Sequence, residues 1–248
     1  MARLAEAAGL GTLWLAEGGP GVMDPVPWAG SLARDTSSLG LGITVRPSHG
    51  RHPSMVARDV TTIDLLTDGR AVVALVEDGE RTLDVDRLVE ASSVLRRLLT
   101  EEQVSAAGSH YEVFELTTRP RPLRPEGPPI VAGVVGPTDH GRRFLESALV
   151  GGSADGYVTG GTPDEVTARR VELDALTKDG VGPMLLWRGS LGPDHATAAG
   201  LAESVLGAGA DGLIAVLGPD SAVEGGLDAS AVGRVLEVIG PLAGRLES

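Results

Sequence analysis

Residues able to do chemistry are few in this chain, and most of them have an ordinary structural use. His49 and His52 stand at HxxH spacing, which could serve a metal, but Pro53 follows at once and no third ligand is near. His52 is read instead as the cap or anchor of the loop entering a helix. Asp84 and Asp86 form a carboxylate pair at a helix start, where acids favour the positive end of the helix dipole; that role outweighs general acid–base work. The run GAGADG (207–212) matches the dinucleotide fingerprint letter for letter, yet it follows a helix and precedes a strand. A dinucleotide needs strand, loop, then helix, so that its phosphate meets a helix N-terminus, and here the glycines predict a helix C-cap and a turn. GxxxxGK occurs nowhere, and GGSADG (151–156) lacks the last glycine of a nucleophile elbow. The chain has no cysteine, which removes disulfides, thiolate metal sites and thiol nucleophiles together.

Short apolar runs alternate with longer stretches of helical period, the signature of βαβ units and a parallel sheet. Strands are expected at 12–17, 39–45, 70–76, 130–135, 155–159, 183–187 and 211–217. Helices are expected at 2–9, 28–37, 53–67, 84–100, 138–149, 163–178, 194–207 and 228–246. Residues 104–116 alternate around Gly108 and predict a β-hairpin, which the proline-rich RPRPLRPEGPP joins to the next strand. The regular units favour an α/β barrel of the TIM (β/α)8 type over an open doubly wound sheet, one domain over 1–248. Such a barrel begins here on a helix and lacks its first strand. An unclosed barrel leaves edges that need covering, so a homodimer is expected.

Of the 248 residues 42% are hydrophobic and only 3% aromatic, which suits tight helix-on-sheet packing. The formal charge of −13 repels phosphate backbones and anionic lipid, so neither nucleic acid nor a membrane surface is an expected partner. A cytoplasmic protein acting on a small molecule is expected.

At residues 51–79 the motifs become specific. Arg51-His52-Pro53, Ala57-Arg58-Asp59 and Thr62-x-Asp64-Leu65-Leu66-x-Asp68-Gly69-Arg70 resemble the luciferase-like superfamily, TIM-barrel oxidoreductases and monooxygenases that use FMN or the deazaflavin F420. TLWLAE (12–17) resembles its second strand and LGLGITV (39–45) its third. SHYEVFEL (109–116) with PPIVAG (128–133) is similar to its hairpin insertion and the strand after it, and ADGYV (154–158) and GADGLIAVL (209–217) to later strands. The resemblance runs in collinear order over nearly the whole chain. It implies a cofactor at the C-terminal mouth of the strands, lined by Glu17, Thr44, Val45, Glu77, Ala132 and Gly133, with Tyr157 and Thr159 beyond. It also implies a non-proline cis peptide at Thr44–Val45. Gly133 and Gly136 lead into a helix start that could hold a phosphate, with an ordinary βα loop as the equal alternative. Arg46 and Arg51 are placed to meet a phosphate or a carboxylate.

The chain departs from the family pattern at four points. The first strand has no counterpart, AEGGPG puts Gly18 where the family carries a histidine, the fourth strand ends in ALVEDG, and the loop after it has shrunk to EDGERTL. Glu77 is therefore expected to add bulk and negative charge where a flavin ring would approach bare backbone. Two readings follow. In the first, the protein is an F420- or FMN-dependent oxidoreductase moving a hydride at the mouth, with Glu17 handling a proton because it ends a strand on the catalytic face. In the second, it binds no cofactor and serves as a structural or subunit partner or as a small-molecule binder. The substrate is not legible in either.

Overall fold

Several helices start where local chemistry marks it, at Asp24, His52 and Asp84. The computed structural model describes residues 2–7, 9–17, 24–78, 84–135, 149, 151–176, 183–189, 195–215, 222–223 and 226–227. In chain order the elements are α1 (Ala2–Ala7), β1 (Thr12–Ala16), α2 (Pro25–Leu32), β2 (Gly40–Val45), a 3-10 turn (Pro47–His49), α3 (Pro53–Leu66), β3 (Ala71–Asp78) and α4 (Val85–Thr100). Then come β4 (Val104–Ala107), β5 (Glu112–Leu116), β6 (Ile130–Val135), β7 (Gly156–Thr159), α5 (Pro163–Leu176), β8 (Met184–Gly189), α6 (His195–Gly207) and β9 (Gly212–Ala215). A short antiparallel pair, β10 (Ala222–Val223) and β11 (Gly226–Leu227), follows.

Seven strands form one parallel sheet in the order β1-β2-β3-β6-β7-β8-β9, nearly closed into a barrel with helices outside it. Among the described residues β1 and β9 are its two edges. The expected hairpin is present: β4 and β5 pair antiparallel, apart from the barrel sheet. Glu90 of α4 seats its turn by accepting the N–H groups of Ser109 (3.1 Å), His110 (3.2 Å) and Tyr111 (2.7 Å).

His52 is the N-cap of α3, its Nδ1 accepting the Ser54 N–H at 3.2 Å, and Pro53 takes the first helical position. Asp84 caps α4 by accepting the Arg87 N–H at 3.0 Å. GAGADG behaves as a C-cap: Ala208 and Gly209 donate back to Ser204 and Leu206, and Gly209 turns at φ +103. The second helix differs from expectation. It runs Pro25–Leu32 instead of 28–37, because Asp24 accepts the Val26 N–H at 2.9 Å and Pro25 is preset for a first turn. The helices expected at 138–149 and 228–246 lie outside the described residues, Leu149 excepted.

The core lies in two layers. Val56, Val60 and Ile63 of α3 and Leu88, Leu95, Leu98 and Leu99 of α4 bury against the outward residues of the strands, Leu41, Ile43, Val73 and Leu75 among them. Burying one such side chain is worth about 1.5–3 kcal/mol. A second, smaller cluster fills the barrel: Ala74, Val76, Val131, Val158, Leu186 and Ile214, with Trp14 packed on it.

Side chains also tie down the N-terminal ends of the strands. Asp155 accepts the Ile130 N–H at 2.7 Å and pairs with Arg96 of α4 at 2.5 Å. Asp211 accepts the Leu185 N–H at 2.7 Å and pairs with Arg170 of α5 at 3.1 Å. Asp64, fully buried, accepts the Leu123 N–H at 3.0 Å, and Arg70 donates to the carbonyls of Thr67 (2.7 Å) and Thr36 (3.1 Å).

Candidate functional site

Strand register decides which residues can line the mouth. Side chains alternate faces along a strand. Trp14, Gly42 and Ala16, Thr44 are paired across β1 and β2, Thr44 pairs with Ala74, and Ala74 with Val131. Since Trp14, Ala74 and Val131 belong to the cluster inside the barrel, Thr44 faces inward, as does the position of Gly133, paired with Val158. Val45, Ala132 and Tyr157 fall on the opposite parity and pack in the outer layer against the helices. Their side chains turn away from the interior. Tyr157 is 1% exposed with the Arg169 guanidinium of α5 5.6 Å from its ring centre. Burial pushes its phenol up, and Arg169 only partly opposes this. The Thr44–Val45 peptide is trans, the strand keeping its regular pairing to Ala74 and Leu75 through both residues. The cis bond among the described residues is Arg119–Pro120. Gly136 lies outside the described residues.

Glu77 stands on the outward parity too. Its Oε1 accepts the Ser48 N–H at 2.6 Å and its Oε2 the Ser48 hydroxyl at 2.7 Å. At 7% exposure the carboxylate is buried between β3 and the turn after β2. The expectation that Glu77 would thrust charge at a cofactor ring is corrected. One position along the strand changes the face, and the charge is absorbed by the neighbouring loop.

Glu17, at the end of β1, sits in a polar cluster. Its Oε2 accepts the Arg46 N–H at 3.1 Å with His49 Nδ1 3.8 Å away, and its Oε1 lies 3.3 Å from Arg51 Nε. Arg51 also meets Asp24 at 2.6 Å and Asp59 at 3.0 Å. Burial alone would lower the Arg51 pKa, but the three carboxylates together hold it raised. Burial pushes Asp59 up, against the pull of Arg51. Arg51 thus meets carboxylates, as its position suggested, and they come from the chain itself. His49 and His52, spaced as a metal pair, part company: one ring lies beside Glu17 and the other caps α3.

On the interior face Thr44, Ala74 and Val76 are small side chains, with the Glu77 charge turned outward. Gly133 is not a cradle: a Cβ there would stand 2.0 Å from the Val158 carbonyl oxygen, so the neighbouring strand already fills that space. At Gly42 a Cβ would meet the Trp14 indole at 2.4 Å, so the indole lies directly across β2. Reading single residues missed Trp14, Gly42 and Ser48. Parity counted from Trp14 along the paired strands would have found the first two. The segments following β1, β3, β6, β8 and β9 lie outside the described residues. Among the described residues no group of three or more His, Asp or Glu could hold a metal ion, and no helix is long and apolar enough to cross a membrane.

Known proteins resemble this one in sequence and in fold. A family profile described as luciferase-like monooxygenase matches residues 1–175. An F420-dependent glucose-6-phosphate dehydrogenase of Microbacterium testaceum is 28% identical over 208 residues, covering 75% of this chain and 59% of that protein. An F420-dependent hydroxymycolic acid dehydrogenase of Mycobacterium tuberculosis is 28% identical over 183 residues, 62% of this chain and 50% of that one. The chain therefore spans 59% and 50% of the length of these two curated relatives. In fold it is similar to a monooxygenase of Streptomyces bottropensis, at TM-score 0.75 and 17% identity over 97% of this chain and 89% of that one. It is similar also to the coenzyme F420-dependent tetrahydromethanopterin reductase of Methanopyrus kandleri, at TM-score 0.72 and 15% identity over 97% and 94%.

Proposed function

Since the chain belongs to the luciferase-like monooxygenase family, we propose that it is an oxidoreductase that binds F420 or FMN at the C-terminal mouth of the barrel and acts there on a small organic substrate. The observation that carries this reading is the outward turn of Glu77 onto Ser48, which takes the one charge that argued against a ring away from the interior. The F420-dependent relatives support a deazaflavin, and the fold is shared with flavin enzymes as well.

The bound cofactor would supply the hydride chemistry. The residues of the chain would orient it and keep water out. Thr44 and Val76 offer the interior surface against which a ring would lie, and the backbone of Gly133 continues that surface on the next strand, beside Val76. Glu17 stands at the strand end with Arg51 and the Arg46 N–H fixing its carboxylate, the arrangement of a group held in place to exchange a proton at Oε1 or Oε2.

A second reading, a family member without a cofactor that serves as a subunit partner, is favoured by two observations. The sheet keeps two edges among the described residues, and the Trp14 indole crosses β2 in the interior. Titration of the purified protein with FMN and with F420, followed by fluorescence, separates the readings. Saturable binding of one is expected, after which hydride transfer is compared in wild type and Glu17→Gln. No binding of either at tens of micromolar would reject the oxidoreductase reading in favour of the partner.

A further inference from the structure

Two strand-end glutamates flank β2, and both reach into the loop that leaves it. Glu17 follows β1 and takes the Arg46 N–H at 3.1 Å; Glu77, near the end of β3, takes the Ser48 N–H at 2.6 Å and the Ser48 hydroxyl at 2.7 Å. The two N–H groups are two residues apart in the loop, yet each goes to a different neighbouring strand. The 3-10 turn between them permits this, with Gly50 at φ 84 closing the turn by its bond to the Pro47 carbonyl. Arg51 completes the loop by returning to Glu17. Hydrogen bonds to a carboxylate are shorter and stronger than neutral ones. Ser48 itself is exposed, so without Glu77 its amide would face water, and the turn would keep only the Glu17 bond to Arg46 and the burial of Pro47.

We propose that Glu77 is a positioning residue of the mouth: with Glu17 it clamps residues 46–51 in one conformation, so that a ligand entering beside Thr44 meets a wall already in place. A preformed wall lowers the ordering cost of binding. The residue that looked like an obstacle in VEDG is thereby given the opposite role. The ligand half of the proposal rests on the cofactor reading above; the clamp itself does not.

The test compares wild type with Glu77→Ala and Glu77→Gln by amide exchange of the segment 41–52, by thermal midpoint, and by titration with FMN and with F420. Gln keeps a carbonyl for the Ser48 N–H and an amide that can donate to the Ser48 oxygen, so it should preserve the clamp. In Glu77→Ala, exchange within 46–51 is expected to rise about tenfold, and the Kd of whichever cofactor binds to rise about tenfold, the scale of one or two lost bonds to a charged acceptor. Glu77→Gln should restore both to within about twofold of wild type. Asp155→Asn, at the far end of the barrel, controls for general destabilisation and should leave the Kd unchanged. Unaltered exchange in Glu77→Ala would overturn the clamp. Tighter cofactor binding in Glu77→Ala would overturn it too, because the carboxylate would then be occupying a seat the ligand wants. If wild type binds neither cofactor, the oxidoreductase proposal fails and the exchange comparison still decides the clamp.

Discussion

At the N-terminal ends of the strands, Asp155 and Asp211 use the same parts in the same way. Each opens an Ala-Asp-Gly strand start, each accepts the first N–H region of the preceding strand (Ile130 or Leu185), and each pairs with an arginine of an outer helix. At the C-terminal ends, Glu17 and Glu77 also bind main-chain N–H groups, but both converge on one loop, and no motif is repeated between them. One end of the barrel is tied by a repeated local device, the other by carboxylates that meet only because three strands lie side by side. The comparison separates stability from function: pins at the bottom should affect folding alone, whereas those at the mouth should affect what the mouth can hold.

The largest effect that bears on this division belongs to Gly133→Ala. The new methyl would collide with the backbone of Val158, and forcing β6 from β7 should cost about 3 kcal/mol or more. Denaturant unfolding measures it; a neutral result would mean that the glycine serves clearance for a ligand and not strand packing. Arg51→Met comes next. It leaves Glu17, Asp24 and Asp59 facing one another without their cation, which should cost about 2–3 kcal/mol and shift the unfolding midpoint. Loss of cofactor affinity larger than that loss of stability would assign the whole Arg51 cluster to the mouth. Asp155→Asn removes a half-exposed charge while keeping an acceptor, and should cost only about 1 kcal/mol, with ligand titrations unaltered.

The smallest effect is confined to acid. The N–H groups of Ser38, Leu39 and Ser37 converge on the Glu6 carboxylate and hold its pKa at about 2 instead of 4.5. A folded-state value below the unfolded one adds stability that is present above about 4.5 and lost as pH falls from there toward about 2. Glu6→Gln should therefore be less stable than wild type at neutral pH and converge with it across that window. Denaturant midpoints at stepped pH would show it, and parallel curves would mean that the bonds to the Glu6 carboxylate add no stability. Association is a separate check on the open sheet: sedimentation at micromolar concentration should find a dimer, and a monomer would mean that β1 and β9 are covered within the chain.

Much of the fold was legible because its signals are local. Pro53 after His52, Asp84 before Val85 and Gly209 after α6 are each read within one helical turn, and each is where the structure puts it. The second helix shows the limit: expected at 28–37, it starts three residues earlier at Pro25, where Asp24 caps it. The site was less legible. Position along the strands puts Glu17, Thr44, Val45, Ala132, Tyr157 and Glu77 toward the mouth but carries no face. The structure turns Thr44 inward and the side chains of Val45, Ala132, Tyr157 and Glu77 outward.

That division has one physical cause. Sequence alone determined the order of strands and helices, the caps that bound them, the hairpin and the family resemblance, since these depend on neighbours within a few residues. Only the tertiary structure decided which side of each strand faces the interior. A parallel strand buried on both faces reads as an unbroken apolar run, GLGITV or AVVALV, and carries no alternation to count. Its side-chain period is two, so a slip of one residue exchanges inside for outside. For Glu77 that single step is the difference between a charge aimed at a cofactor and a carboxylate bonded to Ser48.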